Sequence, residues 1–310
     1  MIQMDWPGRG VYGWRIMKLF VLSAVFCIGI GSASGATPRL AFERDSTVWI
    51  SGLDGKGLKK IARGALPQIS PDGTRVAFNT IDPDAKSLAR HIAVADITSG
   101  KVTVLKQTPS DNCFGPAWSP DGTRLLFSIW LDNNWHLAAI NADGSGYAVV
   151  KKSAGVSDSI YSPAWAADGK SFFCHDLEAI YRCDLTGKVT KTWKLADILE
   201  HGGMNSGDRL SPSPDGTRLL MDADMDEEHS RENWDGPPPA VWSLDLEGGK
   251  AVRLSKTGLF AWDPAWIDDE EFVFISQGSK EKTPSLYRRA VGSGGAKLVL
   301  KDVRTPSVSR

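Results

Sequence analysis

Apolar and polar positions alternate along most of this chain in short runs, broken by clusters of Ser, Pro, Asp and Gly. The pattern recurs. PQISPDGTRVAFN (67–79), PAWSPDGTRLLFS (116–128), PAWAADGKSFFC (163–174), LSPSPDGTRLLMD (210–222) and PAWIDDEEFVFIS (264–276) are versions of one segment. In SPDG, proline presets φ at the second turn position, aspartate accepts local hydrogen bonds, and glycine supplies positive φ at the fourth. The flanks are a short run with a bulky residue (Ile69, Trp118, Trp165, Trp266) and an apolar run rich in β-formers. Each copy predicts strand, tight turn, strand.

A second pattern follows each copy. Its members are VWISGLDGKGLKKI (48–61), IAVADITSGKVTVL (92–105), LAAINADGSGYAVV (137–150), IYRCDLTGKVTKTW (180–193), VWSLDLEGGKAVRL (241–254) and LYRRAVGSGGAKLVL (286–300). Each reads as strand, Asp/Gly turn, strand, so one full unit is four antiparallel strands. The turn aspartates stand at 72, 121, 168, 215 and 269, at intervals of 49, 47, 47 and 54. Four-stranded units at this period predict an all-β fold, a β-propeller in which each blade buries its neighbour's face.

The blades are expected at 38–64 plus 304–310, 65–108, 114–152, 161–195, 208–256 and 262–301, which makes six. The segment 48–61 has no SPDG copy before it. TPSVSR at 305–310 echoes LPQIS at 66–70, so the C-terminal strand is expected to close the ring on the first blade.

Residues 1–36 are read apart from the propeller, which takes 37–310. Met17-Lys18 precedes LFVLSAVFCIGIG and SASGA, the n-region, h-region and cleavage site of a secretory signal, with the cut after Ala36. The apolar run is too short to span a bilayer, and Phe26 before Cys27 speaks against a lipoprotein. The start is Met1 or Met17. The expected compartment is the periplasm or the exterior, with no transmembrane segment after cleavage. A net charge of −1 gives no footprint for nucleic acid. Of the cysteines after the signal, Cys174 and Cys183 lie on consecutive strands of one hairpin. They are read as small core residues rather than a disulfide or a zinc site.

With an export signal and repeated PAWSPDGTRLLF hairpins, residues 38–310 resemble the TolB-type, WD-like propeller family. The resemblance covers the propeller only, without the α/β domain that TolB carries ahead of it. It is specific for fold and poor for function, since the repeat occurs in periplasmic scaffolds, in propellers of prolyl peptidases and in an oligogalacturonide lyase. A peptidase reading fails for want of G-x-S-x-G.

Propeller geometry puts the SPDG turns and the strand 3–4 turns on one face, short and alike. The strand 2–3 loops and the blade connections fall on the other face and differ from one another, which is where binding is expected. The candidates there are Trp130, Asp132, Asn133, Asn134, Asp158, Tyr161, Asp208, Arg209, Trp234, Trp262 and Asp263. Mixed aromatic and polar surface suits a protein or a glycan. Trp118, Trp165 and Trp266 are read as blade packing. The acidic stretch DADMDEEH (222–229) lacks the glycine and terminal glutamate of a calcium loop and reads as a solvated loop.

No catalytic constellation is present in the sequence. The leading expectation is a monomeric, non-enzymatic scaffold without a cofactor, docking a protein or cell-envelope component and possibly a glycan. The alternative is a glycan-active enzyme, such as a lyase, with a divalent metal held by His175, His201 and His229. The three have no ligand spacing in sequence, and surface residues would look the same.

Overall fold

The computed structural model describes residues 37–81, 89–153, 155–229, 234, 236–278 and 280–309. The signal and its cleavage site lie outside the described residues, as do parts of the blade-two and blade-five loops and Arg310.

Six four-stranded antiparallel sheets make the ring. The first blade holds β1 (Arg39–Arg44), β2 (Thr47–Gly52) and β3 (Lys59–Arg63). The second holds β4 (Ala65–Ile69), β5 (Arg75–Asn79), β6 (Ile92–Asp96) and β7 (Val102–Leu105). The third holds β8 (Cys113–Trp118), β9 (Arg124–Leu131), β10 (Asn134–Asn141) and β11 (Ala148–Val149). The fourth holds β12 (Tyr161–Trp165), β13 (Ser171–His175), β14 (Ala179–Asp184) and β15 (Val189–Lys194), and the short helix α1 (Leu195–Ile198) follows. The fifth holds β16 (Leu210–Pro212), β17 (Arg218–Asp224), β18 (Pro239–Asp245) and β19 (Ala251–Arg253). The sixth holds β20 (Phe260–Trp266), β21 (Glu271–Gln277), β22 (Ser285–Ala290) and β23 (Lys297–Lys301).

The last strand, β24 (Arg304–Val308), pairs antiparallel with β1 and closes the ring, Leu40 facing Val308 and Ala41 facing Ser307. Past the strand, Ser309 donates its N–H to the Arg39 carbonyl and accepts the Arg39 N–H on its hydroxyl. The sequence expectation of six blades and a C-terminal closing strand is met.

The repeated turns form as their residues dictate. Gly73, Gly122 and Gly216, at φ 67, 67 and 72°, donate their N–H to the carbonyls of Ser70, Ser119 and Ser213. Each turn aspartate then accepts from the serine before it and the threonine after it, as Asp121 does from Ser119 and Thr123. These bonds hold the Asp121 carboxyl down at about 2. The Asp, Ser and Thr side chains of these turns are engaged within the turns themselves.

The core is divided among the blade boundaries. Ala77 and Ile92 of blade two pack against Trp118 and Leu125 of blade three, and Ala265 and Ile275 of blade six against Leu40 and Phe42 of blade one. Trp118, Trp165 and Trp266 are 7, 7 and 0% exposed, which bears out their reading as packing residues. Cys113, Cys174 and Cys183 are free and buried. The register sets Cys174 opposite Tyr181 and Cys183 opposite Phe172, so the two cysteines are diagonal rather than directly paired.

Candidate functional site at the loop face

The inner strand of five blades carries the same irregularity. Leu66, Gly115, Ser162, Asp263 and Thr305 stand before prolines at φ 52, 63, 49, 50 and 46°. Each lies where the pairing register shifts. Proline has no N–H to give the ladder, so the strand bulges there. A non-glycine residue in the left-handed region stores strain at each of the other four positions.

The bulges need partners for their freed backbone groups, and the preceding blade supplies them. Asn79 accepts the Gly115 N–H at 2.9 Å and donates to the Cys113 carbonyl at 2.7 Å. Asp222 accepts the N–H of Arg209 and, at 3.4 Å, that of Asp263; Asp263 in turn accepts the Thr305 N–H. Asn79 and Asp222 stand at one shared position of their second strands, where β5 ends and β17 runs two residues on. His175 stands at the same position in blade four, fully buried against the Asp208 backbone and 5.8 Å from the Tyr161 ring. Burial pushes its pKa down to about 4. His201 is exposed after α1, and His229 sets its ring edge-on to Phe260 at 5.0 Å. Among the described residues no group of three His, Cys, Asp or Glu is arranged to hold a metal ion.

Inside the bulges runs a channel of about 330 Å³. Pro116, Pro163, Pro264 and Pro306 line it, with Leu66 and Gln68 from blade two and Leu210 in the fifth blade's place. Phe114 and Arg209 stand toward the loop face, and Pro71, Pro120 and Pro214 toward the repeated turns.

Three groups lie toward the loop face, and of their residues Phe114 and Arg209 line the channel. The first is aromatic: Trp135 meets Trp130 edge-on at 5.4 Å and Phe114 at 6.5 Å, and Arg90 lies 5.0 Å over the Phe114 ring. Arg90 is fixed by Asn112, whose side-chain oxygen accepts its Nη2–H at 2.6 Å. The second is also aromatic: Trp234 packs on Phe260 at 5.0 Å and Trp262 at 5.7 Å, and donates its indole N–H to the Pro237 carbonyl. The third is acidic. Asp208, Asp222 and Asp263 are buried together, with the Arg209 guanidinium 3.8 Å from Asp263. Burial raises all three carboxyls above the usual range, and the neighbouring carboxylates add to this for Asp208 and Asp222.

The sequence placed these residues on the right face but not always in the right setting. Trp130 and Asn134 were expected in a loop and lie on strands, because Asp132 and Asn133 make a two-residue turn at φ 50 and 62° that lets β9 and β10 run on. Trp262 and Asp263 belong to β20, and Tyr161 to β12. Asp208 and Asp263 are buried backbone acceptors rather than open surface. Trp130, Asp132, Asn133 and Asp158 are exposed as expected. Leu177 was missed. It is 38% exposed at the tip of the β13–β14 turn with φ 77°, and a lone leucine between acidic residues gives no signal in sequence.

No family model matches the chain. Among solved structures, TolB from Acinetobacter baumannii is similar with a TM-score of 0.66 and 18% identity, over 87% of this chain and 66% of that one. The propeller is TolB-like in fold. A putative TolB from Agrobacterium tumefaciens aligns with a TM-score of 0.61 and 14% identity, over 86% of this chain and 89% of its own. The TolB-like ring also aligns with a chain of a nidogen–laminin complex, with a TM-score of 0.64 and 10% identity, over 88% of this chain and 98% of that one. In sequence, 229 residues, 71% of this chain, are 22% identical to the WD repeat-containing protein 26 homolog of Drosophila melanogaster. The TolB-like chain spans about a third (34%) of that relative's length.

Proposed function

We propose that this chain is an exported, non-enzymatic binding scaffold that docks a protein or cell-envelope component on its loop face. The observation that carries the reading is the unequal use of the two faces. The Asp, Ser and Thr side chains of the repeated turns are engaged in holding those turns. The loop face gathers two aromatic clusters, a buried charge cluster and a channel mouth, on strands rigid enough to present them. Similarity to a nidogen–laminin complex and to TolB supports a partner-binding role. Export follows from the signal read at 17–36, with the mature chain starting at Thr37.

The test uses residues 37–310 as bait against envelope extract of the source organism, beside variants of each face. A partner retained by Thr98→Ala on the turn face and lost by Trp130→Ala supports the scaffold. Release of unsaturated products from oligogalacturonides by the purified chain, with or without added manganese, would overturn it. N-terminal sequencing of the exported protein checks the compartment.

A further inference from the structure

Among the described residues, large exposed apolar side chains fall mostly on outer strands, such as Val102, Val149, Val252 and Leu298, or in the repeated turns. Trp130, Leu177 and Leu259 stand apart, 36, 38 and 41% exposed at the opposite ends of the blades.

Trp130 and Leu177 belong to neighbouring blades and rest on one short connection. Trp130 packs on Trp135. Trp135 donates its N–H to the Ser159 hydroxyl at 3.2 Å and accepts the Ile160 N–H at 3.1 Å. Two residues earlier, Ser157 donates its N–H to Asp176 at 3.3 Å. Asp176 also accepts from the N–H groups of Glu178 and Ala179 and from the Tyr181 hydroxyl at 2.7 Å. These bonds fix Leu177, between them, in the left-handed region. A glycine or asparagine would sit there at lower cost. The leucine is 38% exposed and belongs to none of the core clusters, yet the fold holds it at a positive φ that costs a leucine energy.

The surroundings are acidic. Asp132 in the turn after Trp130, Asp158 in the shared connection and Glu178 next to Leu177 are all exposed. Lys152 is engaged with the Asp158 carbonyl, and Arg90 is taken up beneath the rings by Asn112 and Phe114. Lys152 and Arg90 keep their positive charge in these contacts, but Asp132, Asp158 and Glu178, joined by Asp176, outnumber them, and the net negative charge repels an anionic membrane surface and attracts a cationic one.

We propose that Trp130 and Leu177, with Asp132, Asp158 and Glu178 in the same turns and connection, form a docking surface for a basic protein segment that presents an apolar side chain. The apolar tips give an anchor, and the carboxylates select lysine or arginine beside it. This rests on the reading of the loop face as a binding surface and names the partner's chemistry.

The probe is a set of three synthetic twelve-residue peptides with the same central leucine, flanked by lysines, glutamines or glutamates. Binding to residues 37–310 is followed by calorimetry at two salt concentrations. The expected result is saturable binding of the lysine peptide, weakened at least tenfold by Trp130→Ala and by Leu177→Gly. The pair Asp158→Asn and Glu178→Gln weakens binding and flattens its salt dependence. Leu177→Gly relieves the strained φ, so its melting temperature is unchanged or higher, and lost binding cannot be ascribed to unfolding. Equal binding of the glutamate peptide overturns the proposal, as does indifference to Leu177→Gly. So does self-association of the chain that Trp130→Ala abolishes, since the surface would then serve a second copy. If no peptide binds while the bait still captures its partner, this proposal falls and the scaffold reading stands.

Discussion

The guanidinium carbon of Arg75 in blade two lies 4.7 Å from the centre of the Trp118 ring in blade three. The contact recurs one boundary on, with Arg124 over Trp165 at 4.9 Å, and again with Arg218 over Trp266 at 4.7 Å. Between blades four and five both partners are missing together, since Ser171 and Pro212 occupy their places. The arginine of SPDGTR is therefore a clasp on the next blade, not only an exposed strand residue. Arg75 also donates to the Gly122 carbonyl at 2.7 Å.

Arg75→Gln should cost about 1–2 kcal/mol, combining the lost cation–π contact with one hydrogen bond. Urea unfolding gives the value, and a cycle with Trp118→Leu should show coupling between the two sites. Additive losses would mean that the stacking contributes nothing.

Removing residues 304–310 should destabilise the fold far more than a seven-residue tail would suggest. The deletion exposes the edge of β1 and uncovers Leu40 and Phe42, both fully buried. It also leaves the Ile69 N–H without the Ser307 hydroxyl that accepts it at 3.0 Å. Calorimetry of the truncated chain should show a large drop in the melting midpoint or no cooperative transition.

Much of this was legible in the sequence. Hairpin chemistry repeats so closely that turn positions and blade number could be read from the repeat, and the closing strand from the echo of LPQIS in TPSVS. The inner-strand bulges were not, although the prolines at 67, 116, 163, 264 and 306 mark them. Their partners, such as Asn79 and Asp222, sit on a different strand of a different blade, and no local pattern links them. The setting of His175 was not legible for the same reason. As a loop residue it suggested a ligand, whereas at the end of a second strand it holds the place taken by asparagine or aspartate elsewhere. Loop tips such as Leu177 carry no periodicity and are visible only in three dimensions.

The acidic cluster gives the protein a pH dependence of definite sign. A carboxyl whose folded-state pKa is raised binds its proton more tightly folded than unfolded. Its contribution is favourable below the unfolded value near 4 and is lost as pH rises through the raised folded value. Asp208, Asp222 and Asp263 all act in this direction, with Arg209 and Arg304 beside them as the countering charges. Asp121 and its like act oppositely, holding the fold above pH 4 and losing their effect as pH falls toward 2. Stability should therefore fall between pH 5 and pH 9, and Asp208→Asn should flatten the slope by on the order of 1–3 kcal/mol across that range. Urea midpoints at several pH values decide it, and a slope unchanged in the variant would remove Asp208 from the account.

The loop-face tryptophans should separate into two kinds. Trp130 is 36% exposed and its ring meets that of Trp135, so Trp130→Ala should shift the melting midpoint least of the three. Trp262 lies on an inner strand and packs against the core shared by blades six and one, and Trp234 bridges it to Phe260. Truncating Trp262 removes a half-buried ring beside the bulge at Asp263, at a cost of about 2–4 kcal/mol. Trp234→Ala should fall between, since it loses two ring contacts and the hydrogen bond to Pro237. Melting curves of the three variants rank them. If Trp130→Ala were the most destabilising, its ring would be part of the fold, and binding lost in that variant could no longer be credited to an open surface.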